Sequence, residues 1–135
     1  MAADPIKVQA RSKDATRSHV TNARGGDMDI VFSSRIDGFS PLEVQAAALA
    51  ACMDVSLRIA ARQAGLNGLG DIAVSVEAAK AEAAPSRLAR FDIEVSFSDT
   101  LDEDMKARLV SEAETICTIS NTLAAKDVTI TSRAE

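Results

Sequence analysis

Residues 38–55 decide the fold of this chain, and they read GFSPLEVQAAALAACMDV. Ser40, Pro41 and Glu43 have the spacing of a helix N-cap, a first helical position and the closing residue of a capping box. We therefore predict a helix that begins at Pro41 and runs to about Ala64, where a glycine-rich segment follows. Its first half carries no charge after Glu43, so this helix is expected to be buried on all sides.

Alternating apolar residues predict strands on both sides of this central helix. Three short alternating stretches between Ile6 and Ser33 predict an antiparallel meander of three strands. Downstream, Ile72–Ala78 and Leu88–Phe97 alternate in the same way and are joined by a turn at Pro85. These two segments predict a β-hairpin.

A second helix is predicted from the capping box of Thr100 and Glu103. Its inward face carries Met105, Leu109, Ala113 and Cys117 at intervals of four residues. We expect a break at residues 120–122 and a last strand at Val128–Ser132. The predicted order is βββ-α-ββ-α-β, an α+β sandwich in a single domain that spans residues 1–135.

Alanine dominates the apolar composition, with 25 alanines among 135 residues. Side chains this small bury little area each, so either the helices pack very closely or a second subunit completes the core. Four phenylalanines are the only aromatic residues, which disfavours the stacking platforms of nucleic-acid and sugar sites.

The charge and the terminal sequence restrict partners and location. A formal net charge of −5 gives no attraction to phosphate backbones or anionic lipid, so neither nucleic acid nor a membrane is an expected partner. The first ten residues lack the apolar core of a secretory signal, and the longest uncharged apolar stretch is half a membrane span. We expect a cytoplasmic protein.

Cys52 and Cys117 are the two cysteines, each on the inward face of its own predicted helix. Such residues are either inert buried thiols or redox catalysts, and a catalytic thiol needs a cation or a helix end to lower its pKa. Cys52 lies in mid-helix, so the cation has to come from elsewhere. Arg17 and Arg24, in the turns of the meander, are the available arginines.

The single histidine, His19, alternates with Val20 in a predicted strand. We interpret it as an exposed or hydrogen-bonded strand residue. With one histidine and two cysteines, a zinc site with four ligands from one chain is not expected, and the sequence predicts no cofactor.

The residues around both cysteines resemble the OsmC/Ohr family of osmotically induced and organic-hydroperoxide-resistance proteins. The first matching motif combines Gly38–Glu43 with Ala50–Val55, and the second is Ala113–Leu123 around Cys117. The predicted order of elements agrees with the family over almost the whole chain. Two motifs at a compatible separation make the resemblance specific.

The resemblance implies an intertwined homodimer in which sheets surround a buried central helix and two active sites lie at the subunit interface. It implies that Cys52 attacks an organic hydroperoxide and becomes a sulfenic acid, and that Cys117 condenses with it to a disulfide. A dithiol or a lipoylated protein then reduces that disulfide. By position, it further implies that Arg17 lowers the pKa of Cys52 and that Glu43 orients this arginine.

A departure from the family pattern leaves the role of Glu43 open. Glu43 lies nine residues before Cys52, whereas the hydroperoxide-resistance branch places its glutamate ten before. Since one residue turns a helix by 100°, Glu43 is either a site residue or only a helix cap. The alternative function is a non-catalytic OsmC-like protein that binds a small apolar ligand at the dimer interface, with the cysteines in the lining.

Overall fold

The computed structural model describes residues 3–134, which divide after Gln45 into two compact units. In chain order the elements are β1 (Gln9–Arg11), β2 (Arg17–Thr21), β3 (Asp27–Val31), α1 (Pro41–Gln63), β4 (Ile72–Lys80), β5 (Leu88–Phe97), α2 (Glu103–Ile116) and α3 (Thr118–Ala124). The α+β class is as predicted, and the order after β5 differs from the prediction.

The first unit contains the predicted three-stranded meander. β2 pairs antiparallel with β1 and with β3, and the register places His19 between Arg11 and Asp29. The turn between β2 and β3 closes on the Asn22 side chain, whose oxygen accepts the N–H of Gly26 at 2.7 Å. The prediction of a meander is confirmed.

α1 begins with the predicted capping box. The N–H of Ser40 donates to Glu43 Oε1 at 3.1 Å, and the N–H of Glu43 donates to Ser40 Oγ at 3.3 Å. Just before it, Gly38 has a φ of +135°, and a Cβ there would lie 3.2 Å from Val31 Cγ1. Glycine is therefore required at this approach to the helix. The N–H of Val31 donates to the Phe39 carbonyl at 2.9 Å and ties β3 to the same segment.

α1 ends at Gln63 in a Schellman motif centred on Gly65, which has a φ of +80°. The N–H of Leu66 donates to the Ala61 carbonyl at 2.8 Å, and that of Gly65 to the Arg62 carbonyl at 3.1 Å. A glycine at this position adopts the left-handed conformation without steric cost. The predicted end of the helix is correct to one residue.

The core of the second unit lies between α1, α2 and the hairpin. Its buried members are Leu49, Met53, Leu57, Ala60, Ala61, Leu109, Ala113 and Cys117. The hairpin of β4 and β5 covers this cluster with the apolar face of each strand, in pairs such as Val74 with Val95 and Val76 with Ile93. The predicted hairpin is confirmed, and it holds α1 and α2 in place around the two cysteines.

One face of α1 is exposed in this chain. Val55 retains 53% of its accessible surface, and Ala47, Ala48 and Ala51 are exposed as well. The single chain therefore leaves one side of this helix uncovered. Length and apolar composition would also suit α1 to a membrane span, but Leu49 and Leu57 of this helix pack into the core described above.

The second helix begins and ends differently from the prediction. Its N-cap is Asp102, whose carboxylate accepts the N–H of Met105 at 2.7 Å, and not Thr100. A carboxylate is a strong acceptor for a helix N-terminus, and this one lies directly before the first helical residue. α2 ends at Ile116 because the backbone of Cys117 is extended, with φ −66° and ψ 106°.

A third helix stands where a break was predicted. Residues 120–122 lie inside α3, whose N-cap is Cys117. The N–H of Asn121 donates to the Cys117 carbonyl at 3.0 Å, and its side-chain amide donates to the Thr115 carbonyl at 3.1 Å. Asn121 thus joins α3 to the end of α2 instead of interrupting a helix.

The predicted last strand, Val128–Ser132, is also wrong for the single chain. Within residues 3–134 this segment pairs with no strand, and Val128 and Ile130 are 52% and 89% exposed. An alternating sequence forms a strand only where a second strand satisfies its backbone N–H and C=O groups. The described order is therefore βββ-α-ββ-α-α.

Candidate active site

Cys52 and Cys117 are brought together in the core of the second unit. Cys52 lies on α1 and is partly exposed, whereas Cys117, at the junction of α2 and α3, is fully buried. Both are free thiols, Cys52 packs against the core cluster that contains Cys117, and each thiol affects the pKa of the other. A molecule arriving from solvent can therefore reach the Cys52 side chain and not that of Cys117.

The surroundings of Cys52 favour its thiolate. Burial raises the pKa of Cys52, because an apolar environment disfavours the charged form. Hydrogen bonds oppose this effect and lower the pKa. In decreasing order of their effect on the pKa, the donors are the Ile119 N–H, the Cys117 thiol, the Thr118 N–H and the Ser56 hydroxyl. Together they outweigh burial, so the pKa of Cys52 is lowered from its ordinary value.

The surroundings of Cys117 favour its protonated form. Burial raises the pKa of Cys117, and the nearby Cys52 sulfur raises it further because two negative charges repel each other. The N–H of Ser120 donates to Cys117 Sγ at 3.4 Å and opposes this shift without cancelling it. The pKa of Cys117 is therefore raised.

The opposite directions of these two pKa shifts assign the proton within the pair. The lowered pKa of Cys52 and the raised pKa of Cys117 favour the thiolate at Cys52 and the protonated thiol at Cys117. The arrangement combines an accessible nucleophile with a buried thiol in contact with it.

Backbone amides at the start of α3 contribute to the lowered pKa of Cys52, a contribution that the mid-helix position of this cysteine does not indicate. Two of its donors are the backbone amides of Thr118 and Ile119, which open α3. These amides have no partner further back in their own helix, so they are free to donate to a neighbouring anion. The extended backbone of Cys117 is what separates α2 from α3 and creates this second helix start.

Arg17 and Glu43 belong to the first unit. Arg17 is the first residue of β2 and stands opposite Val31, with its Nη1 3.9 Å from Asp29 Oδ2. The residue directly opposite Asp29 in the strand register is His19. Glu43 closes the capping box of α1, the structural role that the sequence left as one of two possibilities.

The other two polar residues of the meander have local roles. Arg24 is exposed in the turn after β2. His19 Nδ1 lies 2.8 Å from Asp29 Oδ1 and Nε2 lies 3.1 Å from Asp27 Oδ1. The hydrogen bond to Asp29 and the charge of Asp27 raise the pKa of His19. The interpretation of His19 as a hydrogen-bonded strand residue is confirmed.

Sequence reasoning missed three groups around Cys52. The amides of Thr118 and Ile119 carry no signal in the sequence, because every residue except proline has such a group. Ser56 did have a signal, since it lies four residues after Cys52 and hence on the same face of the helix.

A family model described as OsmC-like protein matches residues 33–133 of the chain. The chain belongs to the OsmC-like family. The matched range contains Cys52, Cys117 and Glu43, whereas Arg17 lies before it. A search of curated proteins finds no match.

Solved structures of OsmC-like and hydroperoxide-resistance proteins have the same fold. An OsmC-like protein from Mycoplasma pneumoniae superposes with a TM-score of 0.81 at 14% identity, over 93% of this chain and 91% of that one. The organic hydroperoxide resistance protein OhrB of Bacillus subtilis gives 0.69 at 26% identity, over 93% and 94%. An organic hydroperoxide resistance protein OsmC from Legionella pneumophila superposes with a TM-score of 0.68 at 21% sequence identity, over 92% of each chain.

Proposed function

We propose that this OsmC-like protein is a thiol peroxidase that reduces organic hydroperoxides. The observation that carries the proposal is the asymmetry of the cysteine pair, in which Cys52 is accessible with a lowered pKa and Cys117 is buried with a raised one. The names of the solved relatives, which include organic hydroperoxide resistance proteins, support the substrate class.

In the first step the Cys52 thiolate attacks the outer oxygen of the hydroperoxide ROOH. An S–O bond forms, the O–O bond breaks, and the RO⁻ leaving group takes up a proton to become the alcohol ROH. Cys52 is oxidised to a sulfenic acid. A thiolate is required because the neutral thiol is a poor nucleophile.

In the second step Cys117 attacks the sulfur of the Cys52 sulfenic acid. An S–S bond forms, and the hydroxyl leaves with the Cys117 proton as water. The packing of Cys52 against the buried cluster that contains Cys117 supports this step. A dithiol, such as a lipoylated protein, then reduces the disulfide by exchange and is itself oxidised to a disulfide.

We include Arg17 and Glu43 in the proposed site on the strength of the family pattern alone. Arg17 would add a positive charge that favours the thiolate, and Glu43 would orient it. The hydrogen bonds to Cys52 described above all come from the second unit, so Arg17 is proposed as an addition to them and not as their substitute.

Trapping the first intermediate tests the proposed function. We expect Cys117→Ser, treated with one equivalent of an organic hydroperoxide, to accumulate a Cys52 sulfenic acid, because the attacking second thiol is absent. A cyclic 1,3-diketone, which reacts with sulfenic acids, should label Cys52 in a peptide mass map. Unlabelled Cys52 together with unconsumed hydroperoxide would favour the non-catalytic ligand-binding alternative, which needs no sulfenic acid.

We also propose that the protein is an intertwined cytoplasmic homodimer. Two features of the single chain support a second copy: the exposed apolar face of α1 around Val55, and the unpaired alternating segment Val128–Ser132. A helix face and a strand without partners are the elements that a subunit interface buries.

The mass of the protein in solution tests this assembly. We expect light scattering to give twice the 14.2 kDa of one chain. Val55→Glu should shift the mass to that of the monomer, because a carboxylate would be buried without a partner at the interface. Ala107→Glu, at an exposed position of α2, is the control. A monomeric wild type would refute the dimer.

A further inference from the structure

Ser56 is the one polar side chain in the buried set of residues 3–134, with 2% of its surface exposed. It lies on α1 between Met53 and Leu57 in a core that is otherwise apolar. A buried hydroxyl without a hydrogen bond destabilises the fold, so nearly all of them have a partner. No buried side-chain polar atom among the described residues lacks one.

The partner of this hydroxyl is on the same helix. Positions i and i+4 of an α-helix lie on one face, which directs the Ser56 side chain toward that of Cys52. A hydrogen bond from the Ser56 hydroxyl is one of the causes that lower the pKa of Cys52, which agrees with this placement. The hydroxyl approaches along α1, whereas the Thr118 and Ile119 amides and the Cys117 thiol approach from α2 and α3.

We propose that Ser56 is a positioning residue for the reaction of Cys52. The Ser56 hydroxyl donates to the Cys52 thiolate sulfur and holds that sulfur in the direction of Cys117. This inference rests on the proposed function, in which Cys52 is the nucleophile. The Ser56 hydroxyl differs from the Cys117 thiol in what happens to its hydrogen bond with Cys52 during the second step. When Cys117 becomes the attacking group its hydrogen bond to Cys52 is given up, whereas the serine hydroxyl remains a donor throughout.

Among the described residues, few titratable side chains other than Cys117 lie near Cys52. Cys117 meets it from the junction of α2 and α3, while β4 and β5 face the core with apolar side chains. On α1 the charged residues closest in sequence are Asp54 and Arg58. The Arg58 guanidinium donates to the Leu69 carbonyl at 2.8 Å, so it is committed elsewhere.

The pH dependence of Cys52 alkylation tests the role of Ser56. Iodoacetamide would be applied to the reduced full-length protein, and labelling of Cys52 followed by peptide mass spectrometry. We expect Ser56→Ala to slow alkylation at pH 7 by roughly tenfold, the effect of one hydrogen bond to a charged group. At high pH, where the thiol is ionised in either case, the rates of variant and wild type should converge.

Two further variants complete this experiment. Ser56→Thr keeps the hydroxyl and should restore alkylation at pH 7, and Ser111→Ala, an exposed serine on α2, should leave it unchanged. An identical pH profile for Ser56→Ala and wild type would overturn the proposal, as would equal slowing at every pH. The first result would mean that the hydroxyl instead donates to a backbone carbonyl of its own helix.

Alkylation does not depend on hydroperoxide turnover, so the two proposals fail separately. If the wild type consumes no hydroperoxide but Ser56→Ala shifts the pH profile, the proposed peroxidase function fails and the serine–thiolate contact holds. If the wild type turns over hydroperoxide and the profile does not shift, only the role of Ser56 is refuted.

Discussion

Replacing Cys52 with serine is expected to reduce the rate of organic hydroperoxide consumption by at least about a thousandfold, because the nucleophile is lost. A serine hydroxyl does not ionise at neutral pH, and the hydrogen bonds of Ser56, Thr118 and Ile119 then have no thiolate to stabilise. The measurement is the loss of hydroperoxide with time in the presence of a dithiol reductant.

The matched control for this variant is Cys117→Ser. It retains the thiolate, so one equivalent of hydroperoxide per chain should still be consumed in the absence of reductant. Thermal unfolding of both variants would check that each variant is folded. Consumption by Cys52→Ser at the wild-type rate would contradict the assignment of Cys52 as nucleophile, whatever Cys117→Ser does.

The second large effect concerns stability. We expect Leu57→Ala to lower the free energy of unfolding by about 3 kcal/mol, since Leu57 is fully buried and its truncation leaves a cavity in the core. Leu57 lies one helical turn beyond Met53 on α1 and belongs to the same cluster as Leu109 and Cys117. Denaturant unfolding at a fixed protein concentration measures the change.

Ile6→Ala serves as the control for this core variant, because Ile6 is 96% exposed. It should change the free energy of unfolding by no more than about 0.5 kcal/mol. A loss below about 1 kcal/mol in Leu57→Ala would contradict the described packing of α1 in the second unit.

The elements that could be predicted from the sequence are those specified by local patterns. The capping box of Ser40 and Glu43 requires only two residues at the right spacing, and both of its hydrogen bonds form. The hairpin of β4 and β5 follows from alternation in two neighbouring segments that pair with each other. In each case the partner lies close by in the sequence.

The helices and strands that the sequence does not predict correctly depend on interactions that no local sequence pattern identifies. Val128–Ser132 alternates like a strand but has no strand beside it in the described chain. Cys117 caps α3 through its sulfur, which accepts the N–H of Ser120. A cysteine is not among the preferred N-cap residues, so the start of a new helix at Thr118 was missed. The polar residues at 120–122 suggested a break instead.

The candidate site also combines residues that the sequence predicts with groups that the sequence does not indicate. Cys52 and Cys117 were predicted to face the core, and they do so in contact with each other. The sequence points to a charged side chain as the origin of a lowered pKa at Cys52, whereas in the structure backbone amides, the Cys117 thiol and the Ser56 hydroxyl lower it. Uncharged donors can stabilise a partly buried anion because each is held in place by the fold.

In the proposed function, Cys52 and Cys117 form one redox pair in which hydroperoxide reduction ends in a disulfide. The most direct measurement adds one equivalent of an organic hydroperoxide to the fully reduced wild type and maps the peptides by mass spectrometry without reduction. We predict a disulfide between Cys52 and Cys117 of the same chain, with the loss of two hydrogen atoms and the release of one equivalent of alcohol. Two reduced cysteines beside unconsumed hydroperoxide would contradict the claim.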